Sequence, residues 1–308
     1  MIKPSAFEEE GPKRSEHTPD FAKDAQLVID TFDKARPRIP ESSFVGFYPA
    51  EDIKADLKLT ERLSAEFVKR DEQAGAEGFL RAKETHQLAT AMEVIVAQPL
   101  TWWGKGKTTR TSQYDDYVNG VDAVLELPGS QHIGFALDFS TSSFQQIIKQ
   151  KIDRATDHVL VPGKPAEVKY YISPVTKKKE SITVIPIVIG LDGKDAKELV
   201  SLVSGVIRMR DQAAKNPVMK ERLTKGFEAL QKHPAQMVFI LEISSQLARY
   251  HRLLEKATDP RLVAMRTRIG SMIEFIHELG EAKVKEGIWT DNLEDDSVFR
   301  TIKELTAN

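Results

Sequence analysis

The segment GVDAVLELPGSQHIGFALDFS, residues 120–140, constrains the fold more than any other part of the chain. Val121, Ala123, Leu125 and Leu127 alternate with Asp122, Val124 and Glu126, and Ile133, Phe135, Leu137 and Phe139 alternate with Gly134, Ala136 and Asp138. Period-two alternation on both sides of Pro128-Gly129-Ser130 predicts a β-hairpin. If the sheet buries one face, the odd positions of both strands share it. Asp122 and Asp138 then stand together on the other face, and a loop over 128–132 sets them directly opposite, about 5 Å apart at Cβ. Like charges so placed repel unless neutralised, and a divalent cation is one remedy. The other reading is a solvated face on which acids are merely tolerated. Gly134, Ala136 and Ser140 keep the surroundings small enough for a ligand.

Helical spacing flanks the hairpin. Residues 51–72 and 79–98 read as helices broken at Gly75 and Gly78, and 142–159 as a helix capped by Ser142 or Ser143. On the 79–98 helix, Leu88, Ala91, Met92 and Ile95 form an apolar stripe that includes Glu84, whereas Glu93 points away and reads as solvated. On the 142–159 helix, Lys151 flanks the buried stripe and Lys149 lies further out. A lysine at such a margin either snorkels to water or reaches over the sheet edge toward the aspartates. VKYYIS (168–173) and IPIVIG (185–190) suit strands, with Pro186 awkward in a central ladder. The proline-rich 35–49 resists helix but carries Phe44, Val45, Phe47 and Tyr48 for docking. From about 195 the pattern is helical. Asp259-Pro260 starts the second of two long helices at 235–257 and 260–285, candidates for packing on the core or for a homodimer interface.

The expected class is therefore α/β, with a flexible tail over 1–24, an α/β domain over 25–205 and a helical extension over 206–308. A net charge of −2 provides no global basic field, so nucleic-acid binding would have to use local patches. Lys105, Lys107 and Arg110 beside Trp102 and Trp103 form one such patch, and Lys177, Lys178 and Lys179 another; the plainer reading of each is a solvated loop. The absence of cysteine excludes thiolate metal sites and Cys nucleophiles and fits a reducing compartment. With no apolar run long enough for a bilayer and no signal-peptide core, the expectation is a cytoplasmic protein with no membrane partner. His132 reads as a surface residue, and Asp115-Asp116 either extend a metal site or make a turn.

A glutamate on a helix, an aspartate in each of two strands and then a lysine resembles the PD-(D/E)xK nuclease superfamily, with residues 79 to about 190 matching its α-β-β-β-α-β core. TSQYDDYVNGVDAVLEL is likewise similar to uncharacterised bacterial proteins with nuclease-like cores. The resemblance implies Glu84, Asp122 and Asp138 as ligands for Mg²⁺ or Mn²⁺, and metal-assisted phosphodiester hydrolysis of nucleic acid, DNA by analogy. The third motif reads Asp138-Phe139-Ser140, with serine in the lysine slot, so the resemblance leaves that role to Lys151 from the following helix. Loss of the lysine also admits a catalytically inactive binding module on the same fold, and the helical third admits a scaffold.

Overall fold

A computed structural model describes residues 21–307, apart from residues 74, 99–100, 130, 139–144, 214–215 and 289–294. Helix α1 (Phe21–Ala35) buries Ala25 and Val28, so residues 21–24 belong to a helix and not to the tail expected over 1–24; residues 1–20 lie outside the described residues. The proline-rich stretch then crosses to the sheet as a short 3-10 helix, Glu41–Phe44. Phe44 and Tyr48 meet the ring of Tyr170 at 5.2 and 5.6 Å, which is the expected docking, while Val45 and Phe47 stay exposed. Helices α2 (Ala50–Gln73) and α3 (Gly75–Val96) follow as a pair.

The meander comprises β1 (Lys107–Arg110), β2 (Ala123–Leu127) and β3 (Gln131–Asp138), with a π-helical turn, Asp115–Asn119, between the first two. Helix α4 (Gln145–Leu160) crosses to β4 (Ala166–Ile172) and β5 (Lys179–Gly190). The strand order is β1-β2-β3-β5-β4, with β3 and β5 parallel and the other pairs antiparallel. A parallel pair needs a crossover, and α4 with β4 supplies it. One face of β2 joins the main core, while on the other Val124 packs with Val168 and Tyr171 of β4 and Glu126 accepts from Tyr171, so β2 is buried at every position, unlike the one-sided sheet the alternation suggests.

Among the described residues five further helices follow: α5 (Gly193–Ala213), α6 (Pro217–Gln231), α7 (Ala235–Leu253), α8 (Pro260–Lys285) and α9 (Ser297–Thr306). Asp259 caps α8 by accepting from Arg261 N, with Pro260 in the first turn as its sequence predicts. The boundary expected at 205/206 falls inside α5, and residues on both sides of it share one hydrophobic core: Leu125, Phe135, Ile187, Phe239, Tyr250 and Met272 belong together. Among the described residues no helix is long and apolar enough to cross a membrane.

Strand β5 outruns β4, whose ladder ends at Ala166↔Val184. The remaining edge is met by side chains of α7 spaced one turn apart. Glu242 accepts from Gly190 N at 3.0 Å, Gln246 bonds both backbone groups of Val188, and Tyr250 Oη donates to Pro186 O at 3.1 Å. Pro186 has no N–H to satisfy and sits where the ladder has already stopped, which is why a mid-strand proline is tolerated.

Candidate active-site cleft

The π-helical turn brings the acids of 115–122 together. Asp115 is wholly buried and accepts from Ser112 Oγ (2.7 Å), Asn119 Nδ2 (2.7 Å), Lys169 N (2.7 Å) and Tyr170 N (3.0 Å). The register of β4 shifts between Val168 and Tyr171, and Asp115 takes up the two N–H groups this frees. Its role is therefore to tie the turn to the sheet. Gly120 ends the turn at φ 67°, a left-handed position that glycine occupies without strain.

Just beyond it, Asp122 N donates to Phe135 O at 2.8 Å while Ala123 also pairs with Phe135. Two residues of one strand thus oppose one of its neighbour, the step of a β-bulge. In keeping with this, Val121 packs with Val124 in a second apolar cluster, while Ala123, Leu125 and Leu127 face the main core. Strict alternation therefore fails at Val121. The hairpin turn is also tighter than expected, pairing Leu127 with Gln131. As a result Asp138 lies three residues beyond the partner of Asp122, about 10 Å along the strand, and not directly opposite it. The Asp138 side chain, Phe139, Ser140 and the capping serines 142 and 143 lie outside the described residues.

Of the α3 glutamates Glu84 and Glu93, it is Glu93 that feels the charge of Asp122. Glu84 is exposed and pairs with Lys197 of α5. Glu93 is buried, 5% exposed, and accepts from Arg38 Nη2 at 2.6 Å and Arg110 Nε at 2.7 Å. Arg38 also reaches Asp116 at 2.8 Å, and Arg110 pairs with Asp33. Burial raises the Glu93 carboxyl above its ordinary range, opposed by the two guanidiniums. It raises Asp116 as well, opposed by Arg38 and by a hydrogen bond with Asp122. Burial alone would lower Arg38, but Glu93, Asp116 and Asp122 together hold it above its usual value. Arg38 Nη1 is buried with no hydrogen-bond partner among the described residues.

Asp116 and Asp122 open onto a cleft of about 220 Å³, whose opposite wall is α4 with Lys151, Arg154 and His158. Lys151 thus lies on the Asp122 side of its helix, while Lys149 is exposed and pairs with Asp153. The expected nucleic-acid patch dissolves in part. Lys105 and Lys107 are exposed, but Arg110 is 4% exposed and spent on Glu93 and Asp33. Trp102 and Trp103 are core residues bonded to Leu230 O and Val96 O. His132 is also buried, ring to ring with Tyr171, and burial lowers its pKa; Tyr171 and Ser173 in turn donate to buried Glu126.

Sequence reasoning missed Arg38, Glu93, Arg154 and His158 and left Asp116 undecided. The signal for Arg154 and His158 was present, since they recur with Lys151 at helical spacing. Among the described residues the acids within 4.8 Å of one another in a group of three are Asp192, Asp195 and Asp296, outside this cleft. Asp296 there caps α9 and Asp192 accepts from Lys194 and Asp195 N, so the grouping has a structural explanation. No family model, curated protein or solved structure matches the chain.

Proposed function

We propose that the chain is a metal-dependent phosphodiesterase acting on nucleic acid, DNA by analogy, with a divergent PD-(D/E)xK nuclease-like core. The observation that carries this reading is that Asp122 from the meander and Lys151 from the crossover helix line one cleft. The order of elements, three antiparallel strands, a helix and a parallel strand beside β3, fits it as well.

Asp116 and Asp122 line the cleft together and offer only oxygen, the hard donor set suited to Mg²⁺ or Mn²⁺. In this reading these two carboxylates hold the ion, with Asp138 on β3 as a further candidate. The chemistry such an ion supplies is a water of lowered pKa and neutralised phosphate charge. Arg38 limits the charge repulsion between the acids and fixes Asp116 in orientation. Lys151 steadies negative charge as it builds on the phosphoryl oxygens.

A second reading is favoured by Glu93. Its carboxylate is held by two guanidiniums, which leaves the helix acid structural and suits a binding module that has lost catalysis. Incubation of the purified protein with DNA and Mg²⁺ or Mn²⁺ separates the two. Cleavage that stops with chelator and in Asp122→Asn supports the enzyme. Binding without cleavage supports the module.

A further inference from the structure

Helix α4 gives the cleft a basic wall facing an acidic one. Lys151, Arg154 and His158 line it from positions i, i+3 and i+7, so the wall extends about 10 Å along the helix axis. Arg154 is held in place. Its Nη2 donates to Val118 O at 2.9 Å, and its Nη1 lies against Gly120, where an added Cβ would meet it at 3.0 Å. Gly120 therefore has two reasons to lack a side chain: its φ of 67° and the guanidinium that rests on it. Val118 O is a neutral carbonyl, so the contact orients Arg154 without cancelling its charge. A guanidinium carries five N–H donors, and Val118 takes one. His158 is oriented too. A carbonyl can only accept, so the 3.0 Å contact with Lys164 O places a proton on Nδ1.

An oriented, solvent-facing guanidinium one turn from the lysine suits a second anion next to the first. We infer that the α4 wall is a rail for consecutive phosphates of one nucleic-acid strand. Lys151 serves the phosphate at the acids, Arg154 the adjacent one, and His158 the far end. The ligand is then an oligonucleotide strand and not a mononucleotide. This inference rests on the phosphodiester reading of the cleft and adds Arg154 as a binding residue that acts through affinity.

The test uses the full chain and a fluorescein-labelled twelve-nucleotide single-stranded DNA, followed by anisotropy in calcium over a range of salt. Arg154 is exposed, so Arg154→Ala leaves the fold intact, which circular dichroism checks. Expected are about tenfold weaker binding and a log–log salt slope shallower by about one unit, with Arg154→Lys intermediate because it keeps charge but not the anchored fork. A 5′-mononucleotide should compete poorly with the parent. Parental affinity and slope in Arg154→Ala, or no binding by the parent, overturns the rail. Asp122→Asn run in magnesium tests the other claim separately: cleavage surviving in that variant removes the catalytic reading, while binding still decides the rail.

Discussion

Gln246 of α7 bonds Val188 of β5 twice, its Nε2 donating to Val188 O at 2.6 Å and its Oε1 accepting from Val188 N at 2.9 Å. One side chain thereby replaces the neighbouring strand that β5 lacks at this height. All the partners are buried, so the pair joins the helical part of the chain to the sheet by polar contacts as well as apolar ones.

Gln246→Leu is expected to be strongly destabilising although leucine suits a core helix. It leaves a buried N–H and a buried C=O of Val188 without partners, each costing about 1–3 kcal/mol. Urea unfolding should show a loss of roughly 2–4 kcal/mol with an unchanged m-value. A loss below about 0.5 kcal/mol would mean that water replaces the side chain, and that the edge is more open than its burial implies.

The two glutamates of α3 should behave oppositely. Glu84 forms an exposed pair with Lys197, and Glu84→Ala is expected to change stability by no more than about 0.5 kcal/mol. Glu93→Ala leaves buried Arg110 and half-buried Arg38 charged without their shared partner, a defect of up to about 3–5 kcal/mol. Equal effects of the two substitutions in thermal or urea unfolding would contradict the burial of the Glu93 network.

This pair of residues also marks how far the sequence could be read. The hairpin, the crossover helix, the Asp259-Pro260 start of α8 and the docking of Phe44 were legible because each depends on local pattern or turn chemistry. The partner of Asp122 on β3 was not, because a tighter turn and a bulge change pairing without changing the alternation that precedes them. Glu93 looked solvated because helical periodicity measures distance from an apolar stripe. Its burial is imposed by Arg38, 55 residues earlier in a proline-rich stretch, and by Arg110 on the edge strand. Arg110 and the two tryptophans looked like a nucleic-acid patch for the same reason: sequence proximity does not reveal which way a side chain turns. Lys151 could be told from Lys149 because both lie on one helix, where angular position follows from spacing.

Acid sensitivity is expected from His233. Its ring stacks on Trp102, and Nδ1 accepts from Ala235 N at 3.2 Å. Burial lowers its pKa from 6.5 to about 4, and the hydrogen bond to Nδ1 also requires the neutral form. Between those values the unfolded chain binds more protons than the folded one, so stability falls as pH falls through that window. The loss attributable to this residue approaches roughly 3 kcal/mol. His233→Gln removes a group that titrates in that window, so its unfolding free energy should vary less between pH 6.5 and 4 than the parent's. Identical pH profiles would exclude His233 as the cause.

The sharpest functional prediction sets Lys151 against Lys149. Both are lysines of α4, but one lines the cleft with Asp122 and the other pairs with Asp153 at the surface. If the cleft hydrolyses phosphodiesters, Lys151→Ala should lower the cleavage rate by about a hundredfold or more, because it removes a positive charge from where transition-state charge develops. Metal binding, followed by titration calorimetry with Mn²⁺, should be largely retained. Asp122→Asn should lose both metal binding and cleavage while remaining folded. Lys149→Ala should match the parent in every assay, since its loss costs only an exposed i,i+4 pair. The binding-module reading predicts instead that no variant differs from the parent in cleavage, because none cleaves. A Lys151→Ala protein that cleaves at the parental rate, alongside an inactive Asp122→Asn, would leave the metal site standing and remove the lysine from it. Arg38, whose Nη1 is buried beside the same acids, would then be the cation to test.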